Sequence, residues 1–242
     1  SPDSSTQSSS QSTDKADGGH SSNGSGTDNA NGTGGVGGTD GADGDNQDTV
    51  TDNPLKIVES GWSADQQGYV HYAFALRNTS KTQQVQYPQI TITGRDKDGS
   101  IVFSQTQALN MAFPNQTVYD AGQAGEGTAP ETVDFTVLNP DTYNVAKAQG
   151  TAAFPISGIS KIDNRDGGTT FNGEVRAVAD GFKPSDGQQI KISLVLRNAQ
   201  NAIIYGDIAF VDWPGNGRST PFSITVYDLP KYVSYDLYAQ IW

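Results

Sequence analysis

Ile90-Thr91-Ile92-Thr93-Gly94-Arg95, followed by Asp96-Lys97-Asp98-Gly99-Ser100 and then Ile101-Val102-Phe103, is the stretch on which the fold turns. Ile90, Ile92 and Gly94 alternate with Thr91, Thr93 and Arg95, the two-residue period of a half-buried strand. Asp98-Gly99 lies between two such runs and is a strong hairpin signal, because tight turns recruit residues that accept positive φ. The same texture extends outward. Val70, Tyr72, Phe74 and Leu76 alternate with His71, Ala73 and Ala75, and Thr117 to Asp120 and Val133 to Val137 are again short alternating runs. No stretch carries a convincing amphipathic helical pattern. The residues therefore predict an all-β protein of antiparallel sheets.

The order of these runs recurs. Gly68 to Phe74 matches Gly168 to Glu174 at an offset of 100, and the hairpin Arg95 to Phe103 matches Arg197 to Tyr205 at 102. Thr117-Val118-Tyr119-Asp120 recurs as Thr225-Val226-Tyr227-Asp228 at 108, and Val133-Asp134-Phe135 matches Val233-Ser234-Tyr235 at 100. Four colinear matches argue for a tandem duplication. Leu76-Arg77-Asn78 also recurs at Leu196-Arg197-Asn198, but its offset of 120 breaks the order and reads as coincidence. Turn-rich sequence from Asn139 to Ser157 separates the repeats, giving sandwich-sized units at residues 54–148 and 149–242. The repeat predicts one fold used twice, with Ile90 to Phe103 and Ile190 to Tyr205 as equivalent hairpins. Ile101 and Phe103 should then face inward, as should Ile203 and Tyr205.

Residues 1–53 are built from Ser, Gly, Asp, Thr and Asn, with Val36 and Val50 the only apolar side chains larger than Ala or Pro. Such a segment cannot offset the ~1–2 kcal/mol per residue that backbone ordering costs, so it is expected to be a disordered low-complexity linker. Its nine Asp against one Lys carry −8 of the formal −12. With no basic cluster, the acidity argues against nucleic acid or an anionic membrane surface as a partner. There is no Cys for disulfides, thiolate metal sites or a Cys nucleophile, and no run approaches the ~20 apolar residues of a membrane span. The opening Ser1-Pro2-Asp3 reads as a processed or trimmed start. A polar leader before a folded region resembles the tether of a bacterial lipoprotein, which implies an extracellular, lipid-anchored protein whose modified Cys sits upstream.

The strand before Asn78, the run from Ile90 to Val102, a later Pro and a final apolar strand together resemble the FxLYD-type domains of bacterial exported proteins. That resemblance implies small Ig-like β-sandwiches and carries over no catalytic residues. The motif's centre differs, with Thr93-Gly94-Arg95-Asp96 where the family has Leu-Tyr-Asp. The second unit has Asn198-Ala199-Gln200-Asn201 at its turn.

Catalytic chemistry is short of parts. His20 lies in the tail, leaving His71 as the one histidine of the folded part, and a nucleophile needs such a base beside it. Gly32-x-Gly34-x-x-Gly37 formally fits a dinucleotide fingerprint and Ser12-x-x-Lys15 one element of penicillin-recognising enzymes, but an unfolded tract supplies neither pocket nor helix. Asp40, Asp43, Asp45 and Asp48 lack the Gly and terminal Glu of a calcium loop. Glu59, Asp65, Asp134, Glu174, Asp207 and Asp212 supply carboxylates for glycoside hydrolysis, yet their places in turns and on polar faces read as solvation. No cofactor or metal is expected, and no enzyme. Trp62 and Trp242 read as core or junction residues. For binding, Trp213-Pro214-Gly215-Asn216-Gly217-Arg218 stands out: a large ring on a loop, with Asn216 and Arg218 near enough to hydrogen-bond a stacked sugar. The bland counterpart is that Trp213 closes the end of its sandwich. The expected function is a non-catalytic surface module for adhesion, scaffolding or protein interaction, with a carbohydrate or cell-wall module using the Trp213 loop as the alternative. The partner is an unknown protein or glycan.

Overall fold

The computed structural model describes residues 48–242, which belong to one compact unit. The expected linker therefore lies outside the described residues as far as residue 47, as do the Gly32 and Ser12 motif matches, His20, and Asp40, Asp43 and Asp45. The last residues of that 1–53 tract are engaged with the fold. Thr49 bridges Asp141, and the Val50 N–H donates to Pro140 O at 3.1 Å.

The protein is all-β. The first half contains β1 (Leu55–Ala64), β2 (Val70–Asn78), β3 (Gln83–Gln86), β4 (Gln89–Arg95), β5 (Ile101–Ala108), β6 (Met111–Ala112), β7 (Thr117–Ala124), β8 (Thr132–Val137) and β9 (Val145–Lys147). The second contains β10 (Thr151–Ala153), β11 (Ile156–Asp163), β12 (Thr169–Arg176), β13 (Val178–Asp180), β14 (Gln189–Arg197), β15 (Ile203–Asp212), β16 (Ser219–Val226) and β17 (Ser234–Ile241). A single 3-10 turn, Thr142–Asn144, is the helical element among the described residues. β9 pairs with β3 and β10 with β13, so the chain passes from one half to the other between them.

Each half is a sandwich of two antiparallel three-stranded sheets with one strand plan. The sheets run β1-β2-β7 and β5-β4-β8 in the first half, and β11-β12-β16 and β15-β14-β17 in the second. The turns repeat atom for atom. Asp96 Oδ1 accepts from the N–H groups of Asp98 and Ser100, as Asn198 Oδ1 does from Gln200 and Ala202. Gly99 and Asn201 occupy the same position at φ 82° and 63°. Both hairpins carry a bulge, pairing Arg95 with Ile101 and Arg197 with Ile203.

The structure corrects the register of three sequence matches. Ala64 pairs with Val70 and Asp163 with Thr169, so the first two strands align at an offset of 99, not 100. That single residue matters, because it sets buried Tyr72 against buried Phe171 instead of against Asn172 on the other face. Thr117 lies at the start of β7 but Thr225 near the end of β16, and pairing sets Ala124 against Val226 at 102. The identical tetrapeptides are thus on equivalent strands at non-equivalent places. Arg95 pairs with Thr132 and Arg197 with Ser234, moving the final match from 100 to 102 as well.

One core lies inside each sandwich, around Tyr72, Phe74, Ile90 and Ile92 in the first and Phe171, Ile192, Leu194 and Phe222 in the second. A third apolar cluster, Ala73, Ala121, Val195 and Ile203, forms where the outer face of β14-β15-β17 packs on the outer face of β1-β2-β7. This docking explains two kinds of strand. β2 and β14, central in the docked sheets, are buried on both faces almost throughout, whereas β4 and β12, central in the open sheets, alternate. It also corrects the expectation for Ile101 and Ile203, which both face out of their own sandwiches. Phe103 and Tyr205 are both buried, but Ile101 is 58% exposed while its counterpart Ile203 is 5% exposed, because the other sandwich covers only the second. Two glycines permit the close approach: a Cβ on Gly61 would collide with Ile203 O and one on Gly206 with Tyr72 O.

Candidate functional site

Trp213, Asn216 and Arg218 lie on the loop between β15 and β16. The Trp213 ring stands edge-on to Phe154 at 5.8 Å and 6.3 Å from Phe182, packed against the second core. Asn216 Oδ1 accepts the Ala179 N–H at 2.8 Å, and Gly217 O accepts Arg176 Nε at 3.1 Å. The Arg218 N–H closes the turn onto Gly215 O at 3.0 Å, leaving its side chain exposed. The loop is thus folded onto β13 and its flank, with the indole at the end of the sandwich and Asn216 used in holding the loop.

Polar residues are concentrated where the sandwiches meet, among them Glu59, which the sequence left as solvated. Arg197 donates to Glu59 through Nη1 at 2.5 Å and Nη2 at 3.0 Å, and through Nε to Asp236 at 2.8 Å. The Tyr119 hydroxyl donates to the same Glu59 at 2.6 Å, and its ring stacks on Tyr238 with centroids 3.7 Å apart. Deeper in, Lys191 Nζ is 2.8 Å from Asp120 Oδ1, with both side chains excluded from water. Gln240 Nε2 donates to the same oxygen at 2.8 Å, and Lys191 Nζ sits 4.2 Å above the Trp242 ring. The Arg197 hydrogen bond is the largest influence on Glu59 and holds its carboxyl below the usual range, against the opposing effect of burial. Burial dominates at Asp120 and pushes its pKa up, with Lys191 acting against it.

His71 also lies at this junction. Its Nε2 is 2.8 Å from Asp65 Oδ2 and its ring stacks on Tyr205 at 4.9 Å. Ser63, its cross-strand partner, lines the same cleft of about 260 Å³ with Tyr227 and Asp228 from the other sandwich. Desolvation acts upward on Asp65, but hydrogen bonds from His71, Tyr69 and Gln67 outweigh it and lower the pKa. Asp207 nearby is pushed up, chiefly by burial. Hydroxyl, imidazole and carboxylate therefore meet here. The hydrogen bond of His71 is to Asp65, and none joins it to Ser63 among the described residues. No group of three His, Cys, Asp or Glu side chains placed to hold a metal occurs among the described residues.

In the sequence Glu59, Asp65 and Asp207 read as solvated carboxylates, and nothing local singles out Asp120 or Arg197. A signal was present for Lys191. It sits inside the run Ile190 to Leu196, apolar on both faces apart from Lys191 and Ser193, and a lysine in such a run implies a buried partner. The fold defines a class of protein, two β-sandwiches of one strand plan joined face to face. No protein-family model matches the chain, and no curated protein matches it.

Proposed function

We propose that the protein is a non-catalytic module of the bacterial cell surface, exported, lipid-anchored and carried on the residue 1–53 linker, where it serves adhesion, scaffolding or protein interaction. In this reading the two sandwiches are FxLYD-type domains. The observation that supports it best is the junction itself: Arg197 with Glu59, Lys191 with Asp120 and the Tyr119–Tyr238 stack couple two small sandwiches into one unit. A small sandwich is modestly stable alone, and coupling two makes a stiffer body to present to a partner. The packed Trp213 ring supports an end-closing role for that loop rather than a sugar platform.

Antibodies against residues 48–242, applied to intact and to permeabilised cells of the source organism, test the location. Labelling of intact cells that is removed by brief external protease is the expected result. Labelling only after permeabilisation overturns the proposal.

A further inference from the structure

Tyr87 occupies a place in the backbone that suits glycine. It links β3 to β4 at φ 53°, with Pro88 following and its own N–H donating to Asn110 O at 2.9 Å. A bulky residue in the left-handed region is strained, and such positions gather at ligand sites. Burial of the ring does not account for it, since Tyr87 is 50% exposed.

The strained tyrosine borders a cleft of about 350 Å³, within the ~300–1,000 Å³ of small-ligand pockets, lined also by Thr49, Gln89, Asn139, Asp141 and Asn144. The cleft is lined by the side-chain amides of Gln89, Asn139 and Asn144, groups that both donate and accept, with Asn139 Oδ1 already accepting from Asn53 Nδ2 at 3.2 Å. Beside the cleft, Tyr143 is 81% exposed on the 3-10 turn, and its hydroxyl donates to Asp141 Oδ2 at 2.9 Å, fixing the ring.

We propose that this cleft binds a neutral saccharide. The half-exposed Tyr87 ring offers a face for the C–H surface of a pyranose, with exposed Tyr143 next to the lining residue Asn144 in the chain, while the amides and the carboxylate of the lining match its hydroxyl groups. Asp141 is the charged residue lining the cleft and there is no Lys or Arg, which disfavours sialylated, sulfated or phosphorylated ligands. The site lies apart from the Trp213 loop. The inference rests on the reading of the chain as a non-catalytic binding protein and names its ligand class.

The test uses the full chain on an array of immobilised gluco-, manno- and chito-oligosaccharides, with sialylated and sulfated glycans alongside. Binding to neutral glycans is expected, weakened about tenfold or more in Tyr87→Gly and in Tyr143→Ala and unchanged in Trp213→Ala. Tyr87→Gly should melt no lower than the parent, because glycine relieves the strain, so its loss of binding would not reflect unfolding. A parent chain that binds no neutral glycan, binds only anionic ones, or binds equally well in both tyrosine variants overturns the site. Loss confined to Trp213→Ala also overturns it, in favour of the other loop. Failure of the broader surface reading shows separately, in the cell-labelling experiment.

Discussion

Arg197 of the second sandwich grips Glu59 of the first through two hydrogen bonds of 2.5 and 3.0 Å. The same arginine also pairs with Asp236, and that pair repeats one in the first sandwich, where Arg95 meets Asp134 at 3.5 Å on the open surface. One inherited ion pair thus has two fates. The exposed copy is worth little, while the docked copy has been extended by a third residue into a link between domains.

Glu59 should make stability depend on pH in a defined direction. Its carboxyl is held below its ordinary value near 4.5, so its contribution is complete above that value and is lost as pH falls through the lower folded-state value. Glu59→Gln should cost about 2 kcal/mol in urea unfolding at pH 7, and the difference from the parent should shrink as pH falls below 4.5. A cost that stays constant down to pH 2 would show that the charge is irrelevant.

Ile101 and Ile203 hold the same place in the two hairpins but only Ile203 is covered. Ile101→Asp should stay within about 0.5 kcal/mol of the parent, whereas Ile203→Asp should cost roughly 3 kcal/mol or more by placing a charge in the apolar junction cluster. Thermal melts of the two variants decide it. Equal costs would mean that the repeats are equally buried and the docking is wrong.

How much of this was legible follows from where each signal resides. Strand type and the hairpin turn are local, so the alternation of Ile90 and Ile92 and the Asp98-Gly99 turn led to the right elements. Register is not local. The Gly68 and Thr117 matches were placed by residue identity, and nothing in the sequence shows that Tyr72 and Phe171 share a face until pairing does. The junction was hidden for a related reason: Glu59 and Arg197 lie 138 residues apart and read as surface charges when each sandwich is considered alone. Ala73 and Ala75 on the outer face of β2, opposite Tyr72 and Phe74, were the available clue, since a strand apolar on both faces needs a second partner.

Asp120 and Lys191 are the most demanding pair in the protein, because Asp120 Oδ2 has no hydrogen-bond partner among the described residues. Lys191→Met alone leaves that carboxylate buried without its cation and should cost about 3–5 kcal/mol, whereas adding Asp120→Asn should recover most of the loss. Chemical denaturation of the single and double variants measures both. A double variant no more stable than the single one would contradict the pairing.

Whether the two sandwiches move as one body is read out by a spin-label distance measurement. The chain has no cysteine, so Thr136→Cys on exposed β8 and Glu174→Cys on exposed β12 label one position in each sandwich and nothing else. Rigid docking gives one narrow distance distribution in pulsed electron resonance. That distribution should broaden when Gly206→Ala is added, since the new methyl collides with Tyr72 O and Ala121 and overpacks the junction by about 1–3 kcal/mol. A broad or multi-peaked distribution in the labelled protein without Gly206→Ala would contradict the account, leaving two sandwiches that move independently.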